Sequence, residues 1–145
     1  MELNRKIFRA NDIRGIYPSE INEEAVFQVA QKLSGYYKKN IVIGYDTRLS
    51  SPALYKELKR GLKKNKSLQI IEAGLITTPT MYFLTNHYQL DGGVMVTASH
   101  APKEFNGLKI VKKGAQMLSG EEILEVLRIN PSTQPSPLFK GRRRG

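Results

Sequence analysis

The sequence predicts an α/β protein: a three-layer α/β/α sandwich around a mixed four-stranded sheet, with three parallel strands and one antiparallel. Three observations predict it. Apolar spacing alternates along the chain between helical and extended period. Helix-start signals follow the first two extended runs, which implies parallel strands joined by crossovers. The last two extended runs, Gly93 to Thr97 and Leu108 to Lys112, are separated by about ten residues without helical pattern. That is short for a crossover and predicts an antiparallel pair.

Each element has a local reason. Between Asn22 and Lys38, the residues Ala25, Val26, Val29, Ala30, Leu33 and Tyr37 form a stripe of helical period. Asn22 is the predicted N-cap, and Glu23 and Glu24 suit the positive end of the helix dipole. Ile41, Val42 and Ile43 make a buried strand that ends at Gly44. Ser51-Pro52 reads as an N-cap and a first-turn proline, opening a helix to about Lys64 with Leu54, Leu58 and Leu62 on one face. Leu68 to Ala73 is the second strand. Thr78-Pro79 opens a third helix that ends near Tyr88. Gly93 to Thr97 and Leu108 to Lys112 complete the sheet. Ser119 with Glu122 forms a capping box ahead of Ile123, Leu124 and Leu127.

The predicted domain spans 1–129, and 130–145 reads as a Pro-rich, basic tail or linker with three of the seven prolines. A chain of 145 residues buries roughly 70% of its unfolded surface, enough for a core without staples. There is no apolar run near the ~18 residues of a membrane span. The absence of cysteine excludes disulfides, Cys-ligated zinc and thiol catalysis. A cytoplasmic protein is expected. The net charge of +10 attracts anions, of which phosphorylated small molecules, nucleic acid and anionic lipid are three. The basic surface of the second helix (Lys56, Lys59, Arg60, Lys63, Lys64, Lys66) reads as a solvated face rather than a nucleic-acid footprint. No membrane partner is expected.

The chemistry concentrates in the loop Thr97 to Lys109, T-A-S-H-A-P-K-E-F-N-G-L-K. It places a hydroxyl (Ser99), an imidazole (His100) and two amines (Lys103, Lys109) close together, at the edge of the sheet where α/β folds bind ligands. Cationic groups around a serine suit a phosphoryl-carrying serine better than an acyl-enzyme, and no G-x-S-x-G elbow is present.

Thr97-Ala98-Ser99-His100-Ala101-Pro102 with Asn106-Gly107-Leu108-Lys109 resembles the phosphoserine loop of the α-D-phosphohexomutases, T-A/G-S-H-N-P…N-G-x-K. Ile7 to Gly15, I-F-R-A-N-D-I-R-G, is similar to the opening segment of the phosphomannomutase/phosphoglucomutase branch. Gly44 to Ser50, G-Y-D-T-R-L-S, resembles the family's G-x-D-x-R-x-S segment. The three motifs stand in family order over about residues 7–128.

The resemblance implies an isomerase that interconverts hexose 1-phosphate and hexose 6-phosphate, of mannose or glucose, through a phosphoserine and a bisphosphorylated sugar. It implies Ser99 as the residue that carries phosphate, His100 as its orienting neighbour and Lys109 as the general acid/base. Arg14 and Arg48 are phosphate-binding candidates; Asp46 and Arg48 also read as an ion pair that holds the loop edge. The implied cofactors are Mg²⁺, held partly by the phosphate on Ser99, and hexose 1,6-bisphosphate as activator. The implied partners are phosphorylated hexoses and the remaining three domains of a four-domain enzyme. Departures are local: Ala101 replaces the usual Asn, and Asn11 the usual Tyr. The family's D-x-D-x-D metal motif is absent, the only aspartates being Asp12, Asp46 and Asp91. The chain therefore reads as domain 1, expected to be inactive by itself. The alternative is a non-catalytic domain that binds phosphosugars or a partner protein. His87 reads as a surface or packing histidine rather than a ligand.

Overall fold

The computed structural model describes residues 3–128. The predicted tail, 130–145, lies outside the described residues. In chain order, β1 is Ile13–Ile16, α1 Glu23–Tyr36, β2 Asn40–Tyr45, α2 Ser51–Leu62 and β3 Gln69–Leu75. They are followed by α3 Thr78–His87, β4 Gly92–Val96, β5 Phe105–Lys112, β6 Gln116–Met117 and α4 Gly120–Arg128.

The sheet order is β1-β5-β4-β2-β3, with β6 paired to β5. β2 is parallel to both β3 and β4, and β5 runs antiparallel to β4, as the sequence predicts. The sheet has six strands rather than the predicted four. The two additions are β1 and β6, which lie antiparallel on β5. β1 is only four residues long and includes Arg14 and Gly15, so it lacks an apolar run. Its partner β5 creates it.

Both faces of the sheet are covered, which is why β2 and β4 read as continuous apolar runs rather than alternating ones. Ile41, Ile43, Val94, Val96, Leu108 and Ile110 pack with residues of α1, α2 and α4, among them Leu33, Leu58 and Ile123. Val42, Met95 and Val111 pack on the opposite face with Met81 of α3. Tyr37 crosses the molecule, its buried hydroxyl donating to the Val111 carbonyl at 2.7 Å. Burial pushes that phenol well above its ordinary titration range.

Helix starts follow local chemistry. Asn22 accepts from the Ala25 amide, and Ser119 and Glu122 bond each other's backbone amides reciprocally. Two expected caps are displaced by one residue. The N-cap of α3 is Thr77, whose hydroxyl accepts from Thr80 N. The N-cap of α2 is Ser50; Ser51 is the first helical residue, fully buried, and its hydroxyl goes to Asp46 at 2.6 Å instead of capping.

The parallel strands β4, β2 and β3 are neighbours, so the segments that leave their C-terminal ends gather at one edge. These are 97–104, 46–50 and 76–77. That edge is where open α/β sheets bind ligands.

Candidate active site

Arg48 organises this edge. Its Nη1 donates to the Pro102 carbonyl at 2.7 Å and the Phe105 carbonyl at 3.1 Å. Its Nη2 donates to the Ser99 carbonyl at 2.9 Å and the Ala101 carbonyl at 2.8 Å. One planar guanidinium thus gathers four carbonyls of the loop after β4. Asp46 anchors it from behind: its carboxylate lies 3.5 Å from Arg48 Nε and accepts the Ser51 hydroxyl and the Arg48 amide. The expected ion pair of Asp46 and Arg48 is present, and the four terminal N–H groups of Arg48 are directed at carbonyls. A charged, forked donor is the residue type this task needs.

The loop that Arg48 holds carries Ser99 in a left-handed conformation, φ +56°. A non-glycine residue there costs about 1–2 kcal/mol, and such strain persists where surrounding contacts over-determine it. Here the Thr97 hydroxyl accepts the Ser99 amide at 2.9 Å, and Arg48 takes the Ser99 carbonyl. The side chains of Ser99 and His100 are exposed, although Thr97 and Ala98 just before them are buried.

Ser99 lies between two concavities. One, of about 660 Å³, is lined by Arg48, Leu49, Ala101, Lys103 and Glu104 beside Ser99. The other, of about 620 Å³, is lined by Thr77, Thr78 and Pro79 at the start of α3 together with Thr97, Ser99 and His100. His100 and Lys103 thus flank Ser99 on different sides. The start of α3 as a wall of the site is not evident in the sequence, where Thr78-Pro79 reads only as a helix start. Ala101 lacks the amide expected at its position, yet its backbone N–H donates to the Ala98 carbonyl and its own carbonyl accepts from Arg48 Nη2, so the turn closes through main-chain atoms and the Arg48 fork.

Arg14 and Lys109 lie on the sheet beside the loop. Gly107 bonds Thr97 on one side and pairs with Arg14 on the other, so Arg14 sits two strands from the loop's base, roughly 10 Å. Lys109 follows two residues along the same face of β5, opposite Met95. The two cations meet at Asp12, which is 3% exposed. Arg14 Nη2 donates to Asp12 Oδ2 at 2.7 Å, and Lys109 Nζ lies 3.8 Å from the same oxygen. Arg14 Nε is buried and has no hydrogen-bond partner, and the same holds for Arg48 Nε.

Two structural residues have sequence signals that are easy to pass over. Asn106, fully buried, donates through its amide to the hydroxyls of Ser50 and Ser51, tying the start of β5 to the start of α2. Gly107 admits no side chain, since a Cβ there would stand 1.9 Å from the Ile13 carbonyl oxygen. Together they explain the adjacent Asn-Gly. Among the described residues, no three His, Cys, Asp or Glu side chains cluster as a metal site. His87 is exposed on α3, stacked on Phe83, as the packing reading predicts.

Residues 5–134 match the family model of "Phosphoglucomutase/phosphomannomutase, alpha/beta/alpha domain I". A protein of Xanthomonas campestris pv. campestris named "Phosphohexose mutases" is 40% identical over 122 residues, 83% of this chain and 27% of that protein. A "Phosphomannomutase" of Salmonella montevideo is 40% identical over 119 residues, 81% of this chain and 26% of that protein. The crystal structure of a phosphoglucomutase/phosphomannomutase family protein from Burkholderia thailandensis superposes with a TM-score of 0.77 at 27% identity, covering 87% of this chain and 30% of that one. The chain spans about a quarter to a third of the length of these relatives.

Proposed function

The chain belongs to the phosphoglucomutase/phosphomannomutase family and corresponds to its domain I, and from that premise we propose that it is the phosphoserine-bearing part of a phosphohexomutase. The reaction moves phosphate between O1 and O6 of a hexose, mannose or glucose. The observation that carries this reading is Ser99, exposed and held left-handed on a loop whose carbonyls are pinned by Arg48. Rigid placement of the group that gives and takes phosphate is most of what phosphoryl transfer asks of a protein.

In the proposed step, the bond between Ser99 Oγ and phosphorus breaks as a sugar hydroxyl oxygen bonds to phosphorus. Lys109, held as an ammonium beside Asp12, gives a proton to the Ser99 oxygen as it leaves, and the amine so formed takes the proton of the sugar hydroxyl. Reversal at the other end of the bisphosphorylated sugar regenerates phosphoserine. Arg14 contributes positive charge to the oxygens of the moving phosphoryl group. His100, beside Ser99, orients the reacting groups. Mg²⁺ would supply further charge in such a reaction, but this chain does not fit it by itself. Magnesium takes near-octahedral oxygen coordination, Asp46 is engaged by Arg48 and Ser51, and among the described residues no three carboxylate or imidazole side chains cluster to complete a set with a phosphate on Ser99.

The test is intact-mass spectrometry and peptide mapping of the complete enzyme's working form. Phosphate on Ser99 is expected. Phosphate on Ser50, Ser51 or Ser119, and never on Ser99, would overturn the reading. These three hydroxyls are engaged by Asn106, Asp46 and the Glu122 amide.

A further inference from the structure

Asp12 stands where the two sheet-borne cations of the proposed site meet. A carboxylate 3% exposed is unfavourable unless paired. It is held there by its backbone: the Asp12 carbonyl accepts the Arg9 amide at 2.8 Å, and the Ala10 carbonyl accepts the Gly120 amide at 3.1 Å. The turn before β1 is thereby strapped to the first residue of α4. Arg14 lies two residues along the strand and shares Asp12's face. Lys109, its side chain only 14% exposed, approaches the same oxygen from β5. Burial raises the phenol of Tyr82 in α3 above the ordinary value, and the negative charge of Asp12 raises it further.

We propose that Asp12 is a positioning residue of the phosphoryl-transfer site: a shared counter-ion that fixes Arg14 and Lys109 relative to each other and neutralises one of their two charges until a phosphate arrives. This rests on the assignment of Arg14 and Lys109 to phosphate handling. The carboxylate oxygen and an incoming phosphate oxygen compete for the same cationic groups. Asp12 therefore weakens resting phosphate binding while it holds the geometry that transfer needs. The sign is diagnostic, because damage to the fold weakens phosphate binding, whereas removal of a competing anion strengthens it.

The experiment titrates inorganic phosphate into the ¹⁵N-labelled 145-residue chain and follows the amides of Arg14, Gly107 and Lys109. Asp12→Asn is expected to bind phosphate about threefold or more tighter than the parent chain, and Asp12→Glu, which keeps the charge, within about twofold of it. Equal or weaker binding by a natively folded Asp12→Asn overturns the role of Asp12 and leaves the function proposed above standing. Phosphate-induced shifts that avoid Arg14 and Lys109 in the parent chain overturn that assignment, and the role of Asp12 with it. Asp12→Ser, which removes the charge with a smaller side chain, is the second variant should Asp12→Asn not fold: the same tightening of phosphate binding is expected, and equal or weaker binding by the folded variant overturns the inference.

Discussion

Arg48 shows how one side chain fixes a loop that has no regular structure of its own. Four carbonyls, from Ser99 to Phe105, converge on its two terminal nitrogens. Arg48→Ala is expected to cost about 2–4 kcal/mol, since hydrogen bonds to charged groups contribute about 1.5–3 kcal/mol each and do not add. Arg48→Lys should recover little of this, because an ammonium keeps the charge but not the planar fork. Urea denaturation of the three chains checks both statements; full recovery by lysine would show that charge alone matters. Lys109 makes a different prediction. In the complete enzyme, Lys109→Ala should lower turnover about 10²- to 10⁴-fold, the usual contribution of a positioned proton-transfer group. Equal turnover at matched thermal stability would reduce Lys109 to a partner of Asp12.

At the scale of elements, β5 is the hinge between the parallel half of the sheet and the antiparallel edge. It pairs with β4 on one side and β1 on the other. Gly107 lies where β1 comes closest, with 1.9 Å between a notional Cβ and the Ile13 carbonyl oxygen, and 2.9 Å to Arg14 Cα. Backbone cannot yield as a flexible side chain does. Gly107→Ala is therefore expected to push β1 away, destabilise the chain by about 2 kcal/mol or more, and displace Arg14 from the site. Denaturant unfolding measures the first effect and amide chemical shifts of 13–16 the second. An unchanged midpoint would show that β1 adapts. Tyr37→Phe probes the opposite end of β5. Losing the hydroxyl that donates to the buried Val111 carbonyl should cost about 1–3 kcal/mol, the penalty of an unpaired buried acceptor.

For the whole molecule, the question is what the chain does by itself. Two apolar layers, one on each face of the sheet, give it a core of its own, so it is expected to fold cooperatively. It should nevertheless show no mutase turnover. Its described residues hold no cluster of metal-binding side chains, and the chain spans 27% of the length of its Xanthomonas relative. In the reaction proposed above, positioning of the far end of the sugar is a large share of the rate. The check is a coupled assay with Mg²⁺, a hexose 1-phosphate and catalytic hexose 1,6-bisphosphate. Turnover within about a hundredfold of a typical enzyme's ~10 s⁻¹ would overturn the expectation, and activity that returns only with the other domains would support it.

Elements whose code is local are legible in the sequence. The stripe from Ala25 to Tyr37, the capping box at Ser119 and the apolar run Ile41 to Ile43 each carry their own period or cap, and each forms where expected. The three family motifs likewise identify the loop around Ser99 without any coordinates. Tertiary structure alone decided the rest. β1 exists because β5 pairs with it, and Ile-Arg-Gly-Ile has no strand signal apart from that partner. Ser51 looks like a cap but turns inward, because Asp46 and Asn106 reach it from segments five and fifty-five residues away. Arg48 takes its carbonyl partners from residues 99 to 105, fifty-one to fifty-seven positions along the chain. Asp12 gains its role from Lys109, which another strand brings within 3.8 Å. A residue's type sets which partners it can take, but long-range contacts set which partners arrive, and a charged side chain binds whatever the fold delivers.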